Sequence, residues 1–193
     1  NRDEILTCSI HENLSSPPPI QLHIAMGTIS DSKREDLGTA LNKSIEEFRL
    51  YVVSFLGEQL GENWHTKVMH DLGHHQQNQW KMRMSEGVDP FYIIDYHYLK
   101  SITLNHRVLF KEELKNKAHD LPTLFGQVAE VRHLWAHQQP ISDAEFDQAF
   151  TSLMSIAKIL GREELYEELE ALRYKKEGER TEVATNSKQE APA

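Results

Sequence analysis

Cysteine is almost missing from this 193-residue sequence, where Cys8 stands alone. One thiol cannot build an intrachain disulfide framework, so the fold depends on its core, and a reducing compartment is expected. Between residues 31 and 176 proline occurs only at Pro90, Pro122 and Pro140, which leaves long stretches free to run as helix. No apolar run approaches the ~18 residues of a membrane span, so no membrane partner is expected. No secretory leader is visible. The chain opens on Asn1 rather than Met, which suggests a piece excised from something longer, acting in the cytoplasm or, in a eukaryotic cell, the nucleus. Positive charge is also scarce. With 21 Lys and Arg against 30 Asp and Glu, the net charge is −9, which argues against tight nonspecific binding of polyanions by counterion release. The imbalance is uneven, however. From Lys67 to Lys117 there are eight Lys or Arg against six Asp or Glu, with seven His between His65 and His119. A local site that handles one phosphate needs only one or two cations.

Two flanks differ from the middle. Residues 1–30 contain three consecutive prolines (Pro17 to Pro19) and a short strand-like run from Ile20 to Met26. This part reads as an extended arm or the remnant of a preceding domain. From Lys175 onward the composition turns to charge, Thr, Ser and Gln with one Val and no aromatic residue. Such a segment cannot bury enough apolar area to offset its ordering entropy, so 177–193 is expected to be a disordered tail.

Residues 31–176 carry the helical period. Ser32 with Glu35 fits a capping box, and Leu37, Leu41, Ile45, Phe48, Val52 and Phe55 follow as one stripe. A weaker helix is expected over Glu62–Leu72, whereas 74–88 shows no period. Asp89-Pro90 starts a stripe of Phe91, Ile94, Tyr98, Ile102 and Leu109. Asp120 with Pro122 starts another, through Leu121, Leu124, Phe125, Val128, Val131 and Trp135. A second capping box, Ser142 with Glu145, precedes Phe146, Ala149, Phe150, Leu153, Ala157 and Leu160, and a last helix carries Leu165, Leu169 and Leu172. The expectation is an all-α antiparallel bundle of five to six helices.

Chemistry concentrates in "AEVRHLWAHQQPIS", residues 129–142. Arg132 lies near the apolar stripe, between Val128 and Trp135, where a guanidinium is costly without a partner. His137 is five residues on, a net rotation of about 140° on an ideal helix, so the two do not share a face. Two arrangements would unite them. Either Pro140 loosens the last turn and re-aims His137, or a second copy of the motif completes the pair across a dimer. The plain alternative is that Arg132 snorkels beside the core and His137 caps a helix C-terminus.

The residues Arg132-His133-Leu134-Trp135-Ala136-His137 resemble the Arg-polar-x3-His signature of the HEPN superfamily of small helical domains. With Glu130, Gln138, Pro140, Ser142 and Asp143, the stretch is similar to the subgroup named after the C-terminal domain of a nuclear mRNA quality-control endoribonuclease. That subgroup also occurs in bacterial defence-associated proteins. The likeness extends weakly to "GENW" at Gly61 to Trp64; Asn is common where this chain has His133. The resemblance implies metal-independent RNA cleavage, with no cofactor, by Arg–His motifs meeting at a homodimer interface. It assigns catalysis to Arg132, His133 and His137, and substrate contact to Arg132, Glu130 and Gln138. The chemistry is compatible: an imidazole can take the proton of an attacking 2′-hydroxyl at neutral pH, and a guanidinium can hold the phosphoryl oxygens. A non-catalytic module that dimerises or recruits RNA for a larger, fused enzyme is the alternative.

Other constellations are weaker. "HDLGHH" holds His70, His74 and His75, with His65 a turn or so earlier. As one helix it would bring His70 and His74 to a metal, the basis of a third reading as a His–metal hydrolase, but Gly73 interrupts it and a solvated His-rich loop is favoured. Tyr92, Tyr96 and Tyr98 are candidates to stack on bases, although the stripe rule places Tyr98 and Phe91 in the core. The acidic run 161–173 reads as a packed outer helix.

Overall fold

The computed structural model describes residues 28–175, so the arm up to Gly27, with Cys8, and the tail from Lys176 lie outside the described residues. Within them the chain is an all-α bundle, joined by one isolated antiparallel bridge between Thr28 and Ser142. In order, the helices are α1 (Asp31–Leu60), α2 (Trp64–Asp71), α3 (His74–Ser85), α4 (Pro90–Ile93), α5 (Tyr96–Asn105), α6 (Arg107–Leu114), a 3-10 turn (Lys115–Asp120), α7 (Leu121–Ala136), α8 (Asp143–Ile159) and α9 (Glu163–Tyr174). None of them is long and apolar enough to cross a membrane.

The expected stripes are the buried faces. Leu37, Leu41, Phe48, Val52 and Phe55 of α1 are buried, as are Leu121, Phe125, Val128 and Val131 of α7 and Phe146, Ala149, Phe150, Leu153 and Ala157 of α8. α7 packs between α5 and α8, while α1 lies across α8 and α9. Phe48 and Phe125 meet edge to face at 5.7 Å where α1 crosses α7. Each such side chain contributes about 1.5–3 kcal/mol on leaving water, and this packing fixes α7 along its length.

Several boundaries differ from those the pattern suggested. The cap of α1 is Ser30, whose hydroxyl accepts from the Lys33 N–H at 3.3 Å. Ser32 therefore lies inside the first turn, and its pairing with Glu35 is not the capping box. The polar stretch after Gly73 is helical: α3 is anchored by Trp80, which is buried against Tyr98, the one buried residue in 12, too few to leave a period. The stripe from Phe91 to Leu109 is three helices rather than one. Ile94 and Asp95 are extended, and the Asp95 carboxylate caps the new helix by accepting from the Tyr98 N–H at 3.0 Å. A second break falls at His106. The Ser142–Glu145 capping box is formed as expected.

Candidate functional site

The last turns of α7 carry the motif, and their shape follows from the residues after them. Pro140 cannot continue a helix, so the chain must turn before it. It does so by a Schellman closure: the Gln139 N–H donates to the Leu134 carbonyl at 2.9 Å and the Gln138 N–H to the Trp135 carbonyl at 3.2 Å. Gln138 occupies the left-handed position of that turn, φ 52°, where glycine is the usual occupant. The last turn is thus tightened, not loosened, and His137 stays in register with the helix.

Tertiary contacts then clamp the turn to the start of α1. The Trp135 indole N–H donates to the Arg34 carbonyl at 3.1 Å, and its ring lies on Gly38, where a Cβ would come within 2.6 Å of Cζ2. The Arg34 guanidinium donates to the Gln139 carbonyl. Lys33 pairs with Asp143 at 2.6 Å, and the Ile29 N–H donates to the Ile141 carbonyl at 2.8 Å. Lys33 and Arg34 stand some 105 residues away in sequence and carry no motif of their own, so sequence reasoning missed them.

Against this clamp, the motif side chains are open. Arg132, His133, His137, Glu130 and Gln138 are all exposed, and their side chains make no hydrogen bond or ion pair among the described residues. His133 and His137 sit one turn apart with ring centroids at 4.4 Å, and Glu130 shares their side of the helix by rotation. Arg132 lies about 100° around from His133. The expectation that Arg132 is squeezed into the apolar seam is therefore corrected. Trp135 and Leu134 fill the half-buried positions, and Arg132 projects from the flank beside α5. Its charge still reaches inward: burial pushes the Tyr96 hydroxyl far above the ordinary tyrosine range, with Arg49 and then Arg132 pulling the other way. Re-aiming of His137 toward Arg132 by a loosened turn is likewise not what is found; His137 meets His133 instead.

The remaining candidates divide. Tyr96 and Tyr98 are buried, the Tyr96 hydroxyl donating to the Leu41 carbonyl at 2.7 Å, so neither can stack on a base, whereas Tyr92 is exposed. His70 lies in the last turn of α2 while His74 and His75 open α3, across the break at Leu72-Gly73, so the cluster is neither one helix nor a loop. Among the described residues, no group of three or more His, Cys, Asp or Glu is placed to hold a metal ion. The acidic run forms α9, packed by Leu165 and Leu169 against α1 and α8.

The sequence profile of the Swt1-like HEPN family matches residues 39–161, well over half of the chain and including the whole of α7. The chain belongs to that family. This HEPN domain thus carries its Arg132–His137 signature inside the matched region, and the clamp from Lys33 and Arg34 falls just before the matched residues. Membership points to RNase-like or nucleotide-binding chemistry. No curated protein and no solved structure matches the chain significantly.

Proposed function

We propose that this domain is a metal-independent endoribonuclease whose reacting groups are Arg132, His133 and His137. The observation that carries the reading is the contrast at the end of α7. The backbone there is over-determined by a Schellman turn, an indole clamp and a guanidinium clamp, while the polar side chains it displays have no structural employment. Polar groups held rigidly and left uncommitted are what a reaction site needs.

In the proposed reaction a 2′-oxygen attacks the adjacent phosphorus as its proton passes to the neutral His137 imidazole. The bond from phosphorus to the 5′-oxygen breaks, and that leaving oxygen takes a proton from a protonated imidazole, for which His133, 4.4 Å away, is the nearest group. The products are a 2′,3′-cyclic phosphate and a 5′-hydroxyl. The Arg132 guanidinium holds the nonbridging oxygens as charge builds on them. Because Arg132 lies about 140° from His137 on its own helix, a two-fold dimer bringing two α7 ends together would let the Arg132 of one protomer face the His137 of the other. In this scheme Glu130 and Gln138, neighbours of the imidazoles along α7 and its closing turn, contact ribose or base edges.

The test is product analysis. Purified protein in EDTA, incubated with a labelled single-stranded RNA, is expected to leave fragments ending in 2′,3′-cyclic phosphate. Cleavage that appears only on adding Mg²⁺ or Mn²⁺, or that leaves 3′-hydroxyl ends, overturns the mechanism.

A further inference from the structure

The molecule is acidic, yet one end of it is not. A groove between α6, the 3-10 turn and the start of α7 is lined by Arg107, Lys111, Lys115 and His119, around an apolar floor of Leu104, Val108 and Pro122, with no carboxylate in its lining. Leu104 and Val108 are 50% and 63% exposed, an unusual display for aliphatic side chains side by side. Arg107 and Lys111 share one flank of α6, a turn apart, Lys115 follows where the helix gives way to the 3-10 turn, and none of the three is held in an ion pair or hydrogen bond among the described residues. Lys115 also has φ 57° with ψ −137°, a backbone state nearly reserved for glycine. The chain keeps a lysine at a position where its side chain is a conformational liability.

α7 runs from the groove to the motif. By helical rotation Pro122, Gly126, His133 and His137 lie within about 60° of one another on α7. The distance from Pro122 to the helix end at Ala136 is roughly 21 Å at 1.5 Å per residue. Midway, Gly126 has no side chain, and the exposed Lys100 lies across it, its Nζ 3.5 Å from where a Cβ would be. Cations thus stand at the start and middle of one face of α7, and the histidines stand at its end.

We propose that Arg107, Lys111, Lys115 and Lys100 form a track for the phosphodiester backbone of single-stranded RNA, leading to His133 and His137; this takes the cleavage reading as its frame. No Phe, Tyr or Trp lines the groove, so the backbone rather than the bases is gripped and binding is largely insensitive to sequence. An acidic peptide could also answer the charge, but the track's extension past the groove to Lys100 and the motif favours a continuous polyanion.

The experiment uses the wild-type protein and a fluorescent 2′-O-methyl oligouridylate, which lacks the nucleophilic hydroxyl and so reports binding without cleavage. Anisotropy titrations over a range of salt should give a log–log slope of roughly −3, for about four phosphates neutralised on a single strand. Replacing Arg107, Lys111 and Lys115 together by Gln should reduce the slope by about 2 and weaken binding at least ~10-fold at low salt. Lys115→Gly alone should raise or preserve the melting temperature while weakening RNA binding, a split that loss of folding cannot produce. The proposal is overturned if the triple variant binds RNA with unchanged slope and affinity. It is also overturned if an oligoglutamate peptide occupies the groove and RNA does not displace it. A protein that binds through the track but never cuts RNA defeats the cleavage reading and leaves the track standing; cutting undiminished in the triple variant, with RNA binding unchanged, does the reverse.

Discussion

Gly38 and Gly57 lie on the same helix, α1, and replacing each by alanine should move stability in opposite directions. An exposed helical Gly→Ala change stabilises by about 0.5–1 kcal/mol, because alanine gives up less backbone freedom. At Gly57 nothing lies within 4 Å of the added Cβ, so the full gain is expected. At Gly38 the Cβ would meet Trp135 at 2.6 Å from Cζ2, 2.9 Å from Cε2 and 3.0 Å from Nε1. These atoms belong to a rigid bicyclic ring, not to the free end of a flexible chain. Overpacking of this kind costs about 1–3 kcal/mol. Moving the indole also strains or breaks its hydrogen bond to the Arg34 carbonyl, worth about 0.5–1.5 kcal/mol. Set against the propensity gain, Gly38→Ala should be destabilising by about 1–3 kcal/mol, or roughly 2–12 °C in melting temperature for a domain of this size. Thermal melts followed by circular dichroism separate the two variants. Because His137 lies two residues past Trp135, Gly38→Ala should also lower RNA cleavage at temperatures where the protein remains folded. A Gly38→Ala protein that gains stability as Gly57→Ala does would refute the clamp, since it would mean that the indole is free to move aside.

Two further outcomes follow from other strained or buried groups. Gln138→Gly should raise the melting temperature by a few degrees, because a glycine relieves about 1 kcal/mol of left-handed backbone cost, yet it should weaken RNA binding if the glutamine contacts substrate; unchanged stability on calorimetry would contradict the assigned turn. Burial lowers the His106 pKa, with Asp71, 3.5 Å from Nε2, opposing the shift, so the unfolded chain binds a proton there more readily than the folded one. Stability from this group is complete above the ordinary imidazole range and declines as the pH falls through about 6.5 and below; in melts from pH 7.5 to 5, His106→Gln should show a flatter decline, and an identical slope would rule His106 out.

The helices were legible because their apolar stripes are also their buried faces, as in α1, α7 and α8. Where reading failed, a local hydrogen bond or a tertiary contact outweighed the pattern. The Asp95 carboxylate starts a new helix inside what reads as one stripe, and α3 depends on the single anchor Trp80, which finds its partner Tyr98 only in the folded molecule. At the site, the motif residues and the turn at Pro140 were readable. The exposure of Arg132 was not: its rotation places it close to Val128 and Trp135, and only the neighbouring packing shows that the helix leaves that flank open. Lys33 and Arg34 were invisible for a different reason, since nothing local marks an α1 cation as the partner of a turn near residue 139. The cationic groove had a visible signal, three cations at intervals of four from Arg107, hidden by the acidity of the chain as a whole.

The central claim is that the uncommitted polar groups at the end of α7 perform chemistry, and one paired measurement tests it most directly: RNA binding and RNA cleavage, in EDTA, for wild type, His137→Ala and Arg132→Ala. The account predicts that His137→Ala folds, binds RNA as wild type does and cuts about 10²–10⁴-fold more slowly, the usual contribution of a general acid–base group, while Arg132→Ala loses both cleavage and part of its binding. A His137→Ala protein that cuts at the wild-type rate, or a wild-type protein that binds RNA and leaves it intact, would contradict it.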